Sequence, residues 1–212
     1  MTSIWHDTTV GAMQSVVIKL LDTMNNMNVR SQRKMRDSGV AWIGEVPEGW
    51  KLCRIASLYE LRNTKCSNRE FAPLSVTMKG VMPQLEQVAK TNNGDDRKLV
   101  CAGDFVINSR SDRRGACGIS QLDGSVSLIN IVMKPRGAMD AAYYSWVFRS
   151  NGFADEFYAW GHGIVDDLWT TRWSDMKNIL VMVPPLPEQQ AIADYLDCEC
   201  GKIDELRGVA WV

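Results

Sequence analysis

The sequence predicts an α+β fold: one globular domain with a mixed β-sheet region, followed by a C-terminal helix that begins a coiled-coil-like arm. Three observations support this prediction. Runs of β-branched and apolar residues, broken by glycine and asparagine turns, fill the middle of the chain. Helical periodicity replaces them after Pro135, and a proline-rich segment introduces a last helix. Because strands and helices come in blocks rather than in alternation, an α+β class is favoured.

We divide the chain into three units. Residues 1–34 form an N-terminal helical extension, residues 35–186 the globular domain and residues 187–212 the terminal helix. The extension has one apolar face at helical spacing, made by Val17, Leu20, Leu21 and Met24. A basic cluster follows it. This cluster is either the solvated end of a helix or an arm that contacts phosphates.

Within the globular domain, the pattern predicts strands over Leu74–Met82 and Lys98–Ile107 and within "DFVINS", "SLINIVMKP" and "LVMVPPLP". The segment "EQVAKTNNGDDRK" is expected to carry a helical turn and a loop. "MDAAYYSWVFRSNGFADEFYAW" predicts one or two helices, and "SDMKNI" a short helical turn that Ser174 could cap. The inner face of the longer helical segment is predicted to hold Ala141, Tyr144, Phe148, Phe153 and Phe157.

Composition excludes several classes of protein. The chain has 212 residues, is 45% hydrophobic and 23% charged, and carries a formal net charge of −1, which is ordinary for a globular protein and unlike a strongly basic one. Its apolar runs are far shorter than a bilayer requires, and "SVVIKLL" lacks the features of a secretion signal, so we predict a cytoplasmic protein. No two of the six cysteines have zinc-site spacing, so no metal is predicted.

The stretch "VPPLPEQQAIADYLD", residues 183–197, allows two interpretations. In amino-methyltransferases a catalytic loop has Asn or Asp before two prolines and an aromatic residue after them, so that the amide or carboxylate accepts hydrogen bonds from the target amine. Here Val183 precedes the pair and Leu186 follows it, and neither can take that role. A glycine-rich cofactor loop is also missing from the sequence. We therefore predict no catalytic residues.

The same stretch fits the start of a helix. Pro187 suits the first turn, where its missing N–H has no cost, and Glu188 lies at the positive end of the helix dipole. Four apolar residues then fall on heptad seam positions: Ile192, Leu196, Ile203 and Leu206. They either face the core of the domain or form half of a coiled coil that binds a partner.

Four segments in order, "SGVAWIGEVPEGW", "DFVINSRSDRRGACGISQLDGSVS", "GIVDDLWTTRWSDMKNILVMVPPLPEQQAIADYLD" and "KIDELR", resemble specificity subunits of type I restriction–modification systems. The resemblance runs from Met35 to Arg207. Members of that family normally carry two target-recognition domains, each followed by a long helix. With one such domain, this chain resembles a half-subunit or a truncated form.

The resemblance implies a protein that reads double-stranded DNA and performs no chemistry. It implies a methylation subunit that holds S-adenosylmethionine, and a restriction subunit reached through the complex, as partners. Two half-subunits could also pair as a homodimer. An alternative function is a remnant that does not bind DNA and only caps, or competes for, the methylation subunit. Neither reading requires a cofactor on this chain.

Base reading needs side chains with paired donors or acceptors on a protruding loop. The segment "INSRSDRRGACG" offers six candidates: Asn108, Ser109, Arg110, Ser111, Arg113 and Arg114. The alternative for this segment is a solvated charged loop. Weaker candidates are Lys79, Gln84 and Gln87, and Arg172 is a candidate for a phosphate contact. Trp169 and Trp173 are expected to be packing residues, because duplex DNA offers no open base on which they could stack.

Overall fold

The computed structural model describes residues 34–84, 96–163 and 169–209, and it confirms an α+β fold. Of residues 203–209 and of Ser111 only the backbone is described. Thirteen strands are present in these ranges: β1 (Met35–Asp37), β2 (Glu45–Pro47), β3 (Lys51–Arg54), β4 (Tyr59–Leu61), β5 (Lys65–Cys66), β6 (Leu74–Thr77), β7 (Gly80–Pro83), β8 (Arg97–Val100), β9 (Phe105–Asn108), β10 (Cys117–Ile119), β11 (Gly124–Ser127), β12 (Asn130–Pro135) and β13 (Leu180–Val183). The helices are α1 (Ile55–Leu58), α2 (Ala141–Arg149), α3 (Asn151–Ala159), α4 (Trp173–Met176) and α5 (Leu186–Val209).

A four-stranded antiparallel sheet with the order β10-β9-β12-β4 forms the centre of the fold. In its register Asn108 pairs with Asn130, and Ile107 pairs with Cys117. The end of β9 therefore lies beside the starts of β10 and β12. We call this end of the sheet, where β9 ends and β10 and β12 begin, the loop end. A second sheet, β11-β8-β5, and three two-stranded sheets (β13-β3, β6-β7 and β1-β2) complete the strands.

The main core lies between the central sheet and helices α2 and α3. Aromatic rings fill it: Phe148 is 4.6 Å from Phe105 and 4.8 Å from Phe153 between ring centroids, and Tyr59 is 5.7 Å from Phe148. Side chains cap both helices, as Asp140 accepts a hydrogen bond from the backbone N–H of Tyr143 and Ser150 accepts one from Phe153. The predicted inner face is confirmed except at one position. Ala141 is exposed on the first turn of α2.

Several predicted elements are divided differently in the structure. The strand expected over Leu74–Met82 is the β6–β7 hairpin, which turns at Met78 and Lys79. The strand expected over Lys98–Ile107 is two strands, since Gly103 adopts a positive φ of 90° between them. Ser174 does not cap α4. Arg172 is the N-cap of that helix without a side-chain hydrogen bond.

Some sequence predictions fall outside the described residues. The N-terminal extension is one of them, apart from Lys34, and most of "EQVAKTNNGDDRK", including Gln87, is another. No helix within the described ranges is both long and apolar enough to cross a bilayer.

The terminal helix begins at Leu186, and its first turns pack on the domain. Ile192 is 5% exposed and Leu196 is 6% exposed, and both belong to the main core. Their assignment to a partner-binding surface is therefore wrong, because the domain itself covers them. The side chains of Ile203 and Leu206 lie outside the described part of the chain, so a partner-binding role for these two residues stays a prediction.

Three polar side chains of the helix fix it in place. The Trp50 indole N–H donates to Glu188 Oε2 at 2.8 Å, and the Trp146 indole N–H donates to Asp197 Oδ1 at 2.9 Å. The side chain of Gln189, which is 3% exposed, accepts from the backbone N–H of Asp140 and donates to the carbonyl of Pro184. A buried amide that is satisfied at both ends holds the helix start at one position on the domain.

Candidate nucleic-acid interface

The loop between β9 and β10, residues 109–116, protrudes at the loop end of the central sheet. We call it the arginine loop. The Asn108 side chain accepts a hydrogen bond from the Arg110 backbone N–H at 3.0 Å and so begins the loop with an Asx turn. A single 3-10 turn follows at Ser111–Arg113, and Gly115 takes a positive φ of 73° that returns the chain to β10. The conformation is therefore set by local sequence.

The three arginines of the loop are exposed enough to meet a ligand, and each also faces a carboxylate. Arg110 Nε lies 3.0 Å from Asp112 Oδ1, and Arg113 Nε lies 3.7 Å from Asp112 Oδ2. Arg114 pairs with Asp155 on α3. Exposed ion pairs of this kind are weak, typically below about 1 kcal/mol, so phosphate oxygens can replace the carboxylates. The loop is thus a cationic surface that its own acids partly neutralise.

A second segment, residues 169–172, lies against the arginine loop. The backbone N–H of Thr171 donates to the carbonyl of Ser109 at 3.0 Å, and Thr170 forms an isolated bridge with Arg110. The Thr171 hydroxyl anchors the segment to α3 by donating to the carbonyl of Phe157 at 2.6 Å. Arg172, which is exposed, is therefore carried to the same end of the sheet as the loop arginines.

Trp169 and His162 also border this segment. The Trp169 ring stacks on Tyr158 with centroids 5.6 Å apart, and its indole N–H donates to the carbonyl of Tyr158. It is a packing residue, as the sequence predicted. His162 bridges Thr170 through the backbone and points its exposed ring toward Asp175, with Nε2 3.7 Å from Oδ1.

The tip of the β6–β7 hairpin reaches the loop end as well. Its Gly80 packs so closely on Gly118 of β10 that a Cβ added at Gly118 would lie 2.9 Å from the Gly80 Cα. Arg149 at the end of α2 donates to the Met78 carbonyl at 3.4 Å. Lys79 is exposed at this tip. Two sequence-distant candidates, Lys79 and Arg172, are thus gathered near the arginine loop.

Two candidates do not join the exposed surface. Gln84 follows the far end of β7, four residues and roughly 13 Å along the strand from Gly80. Ser109 is 8% exposed, and its hydroxyl donates to the Ile129 carbonyl at 2.5 Å. The structure corrects its role, because the side chain braces a neighbouring turn inside the fold. The apolar pattern of "SLIN" predicts a strand and gives no signal for that turn.

Between the arginine loop and α3 lies a depression of about 390 Å³, counting its open mouth. It is lined by the polar side chains of Arg110, Arg113 and Arg114 and by the aromatic side chains of Phe157 and Trp169. Within residues 34–84, 96–163 and 169–209, no group of three or more His, Cys, Asp or Glu residues is placed to hold a metal ion. The surface offers guanidinium and amide donors, which suit phosphates and base edges.

Comparisons with known proteins agree in fold. The HsdS subunit from Thermoanaerobacter tengcongensis aligns with 93% of this chain and 46% of its own, at a TM-score of 0.57 and 14% identity. A chain from a study of complex assembly and conformational transition of the type I R-M system aligns over 93% of this chain and 47% of its own length. Its TM-score is 0.56 and its sequence identity is 13%. The S subunit of a type I restriction-modification system from M. genitalium aligns over 75% of this chain and 41% of its own length. Its TM-score is 0.51 and its sequence identity is 17%.

This chain therefore shares the fold of somewhat less than half of the length of each of these three chains. No family model matches the sequence. No curated protein matches it either.

Proposed function

We propose that this chain is a sequence-specific DNA-binding specificity subunit of a type I restriction–modification system. One observation carries the proposal: a chain with the fold of an HsdS subunit gathers the arginine loop, Arg172 and Lys79 at one end of its central sheet. Guanidinium groups bind phosphates and pair bidentately with guanine, so this end is the surface that meets duplex DNA. The arginine loop is the principal contact.

The proposal gives the chain no chemistry of its own. A methylation subunit supplies S-adenosylmethionine and methyl transfer, and the restriction subunit joins through the complex. The protein acts in the cytoplasm, the compartment predicted from its sequence. The outer half of α5, with Ile203 and Leu206, is the contact for the methylation subunit or for a second copy of the chain. The docked half of the helix, by contrast, belongs to the core.

Ion pairing within the loop favours phosphate contacts for at least part of the arginine set. Asp112 pairs with Arg110 and Arg113, and Asp155 pairs with Arg114, so each phosphate contact would exchange one anion for another. Such contacts add affinity without sequence preference and make binding depend on salt. Asn108, which is half-buried at the loop base, is a donor and acceptor suited to an adenine edge.

The test is DNA binding by the chain assembled with its methylation subunit. The Arg110→Ala/Arg113→Ala/Arg114→Ala variant and the parent are titrated at several salt concentrations with two duplexes. One is the duplex that the assembled parent selects from a random library, and the other is a scrambled version of it. Each lost phosphate contact should reduce the salt slope by about one unit. A lost guanine contact should weaken only the selected duplex, by about 1–3 kcal/mol.

Arg136 provides a matched control. It is an exposed arginine paired with Glu60 at 3.4 Å, and it lies six residues beyond Asn130, roughly 20 Å along the sheet from the loop end. Arg136→Ala should leave both duplexes bound as in the parent. If the triple variant also binds both like the parent, the arginine loop is not the interface. If the assembled parent does not bind any duplex, the chain acts only as a cap on the methylation subunit.

A further inference from the structure

The turn between β11 and β12 exposes two large aliphatic side chains side by side. Leu128 is 42% exposed and Ile129 is 37% exposed. Two more exposed apolar side chains lie close by: Met78 is at the tip of the β6–β7 hairpin, and Tyr158 lines the depression beside the arginine loop. Exposed apolar groups gathered beside one charged loop indicate a contact surface.

The turn is held rigidly by side chains that donate to its carbonyls. The Ser109 hydroxyl donates to Ile129 O at 2.5 Å, and Lys98 Nζ donates to Asn130 O at 2.7 Å. The Asn130 amide donates to Ser127 O at 3.1 Å. Side-chain donors thus order the turn before any ligand arrives, which lowers the entropic cost of binding. None of these contacts covers Leu128 or Ile129.

Ser109 links this turn directly to the arginine loop. Its hydroxyl holds Ile129, and its carbonyl accepts from Thr171 of the segment that carries Arg172. Leu128 and Ile129 therefore stand beside the cationic groups that the proposed function brings to DNA. In the major groove the apolar feature of a base pair is the C5 methyl group of thymine.

We propose that the turn Leu128–Ile129 is a base-reading element that contacts a thymine methyl group in the major groove, next to the bases met by the arginine loop. This inference rests on the proposed function. It adds a specificity determinant of a different chemistry, apolar rather than hydrogen-bonding. Its contribution is discrimination between an A·T pair and the alternatives at that position.

The experiment combines a protein change with a base change. The chain, assembled with its methylation subunit, selects duplexes from a random library, and each thymine of the selected site is then replaced by deoxyuridine, which lacks only the methyl group. For the parent, one such replacement should weaken binding about fourfold, the equivalent of one buried CH₂. The Leu128→Ala/Ile129→Ala variant should bind the thymine and uracil duplexes equally.

Leu122→Ala is the matched control. Leu122 is also 42% exposed, but it lies between β10 and β11, at the end of β10 opposite the arginine loop. This variant should keep the thymine preference of the parent. A Leu128→Ala/Ile129→Ala variant with the same thymine preference as the parent would overturn the inference, as would a selected site without A·T pairs.

Two further outcomes separate this inference from the proposed function. If the double variant keeps its DNA affinity but no longer retains the methylation subunit, the turn is a protein contact and the inference fails. If the parent selects no sequence at all, the proposed function is contradicted, and the inference that rests on it is contradicted with it. A parent that selects a site yet shows no uracil effect contradicts only the thymine contact.

Discussion

Truncating Leu196 should lower the stability of the domain itself, and not only weaken the binding of a partner. Leu196 is 6% exposed on α5 and packs in the main core with Ile192. Replacement of a buried leucine by alanine removes transfer free energy and leaves a cavity, at a cost of about 2–5 kcal/mol. For a protein of this size each kcal/mol lowers the melting temperature by about 2–4 °C. We therefore expect Leu196→Ala to melt roughly 4–20 °C below the parent.

The assay is urea unfolding together with a thermal melt on the purified chain. Gln190→Ala is the control, because Gln190 is exposed on the same helix and should change stability by less than about 0.5 kcal/mol. Leu196→Met should recover most of the loss, because it nearly conserves volume. If Leu196→Ala and Gln190→Ala unfold alike, the docking of α5 on the domain is wrong.

The outer half of α5 should behave in the opposite way. Leu206→Asp should leave the melting temperature of the isolated chain unchanged and abolish retention of the methylation subunit, or self-association. The physical reason is that a charge placed in an apolar helix–helix seam must be desolvated when the partner binds. Retention equal to that of the parent would remove this half of the helix from the partner surface.

The remaining predictions concern packing, reactivity and charge. Gly118→Ala should destabilise the domain by about 1–3 kcal/mol, because its Cβ would meet backbone at 2.9 Å, whereas Gly201→Ala on α5, with nothing within 4 Å, should stabilise it slightly. Burial raises the pKa of the Cys117 thiol to about 12, so at pH 8 iodoacetamide should label exposed Cys198 and spare Cys117 in the native chain, as mass spectrometry will record. Asp155→Asn should tighten binding to scrambled duplex and increase its salt slope by freeing a loop arginine.

Each of these has a clear contrary result. Equal urea midpoints for the two glycine variants would contradict the close approach of the hairpin to β10. Labelling of Cys117 at the rate of Cys198 would show that the core beneath the arginine loop opens readily. An Asp155→Asn effect that persists when Arg114 is alanine would mean that the acid acts through the general field and not through its partner.

The α+β class could be predicted because it depends on patterns within single segments. "DFVINS" is strand-forming wherever it lies, and the buried face of α2 and α3 repeats at helical spacing. Turns that divide an apolar run are harder to predict. Leu74–Met82 reads as one strand, yet the chain turns at Met78 and Lys79 because Gly80 can adopt a positive φ of 108°.

Tertiary contacts decided what the sequence left open. Ile192 and Leu196 have the same spacing whether they face a partner or their own domain, and only the position of α2 against α5 distinguishes the two. Ser109 looked like any polar loop residue. Its burial follows from the approach of the β11–β12 turn, which starts eighteen positions later at Ser127 in a different sheet. Loop arginines were correctly placed at the surface, but their carboxylate partners depend on the path of α3.

The pairing of β3 with β13 has a consequence for engineering. Lys51–Arg54 and Leu180–Val183 run antiparallel to each other, so the polypeptide leaves the domain beside the point where it came in. Everything that forms the loop end lies between these two strands. A segment whose two ends are neighbours can be exchanged for another of different length without displacing what flanks it. Residues 51–183 should therefore be transplantable as a cassette, with α5 and the Trp50–Glu188 hydrogen bond left to the recipient.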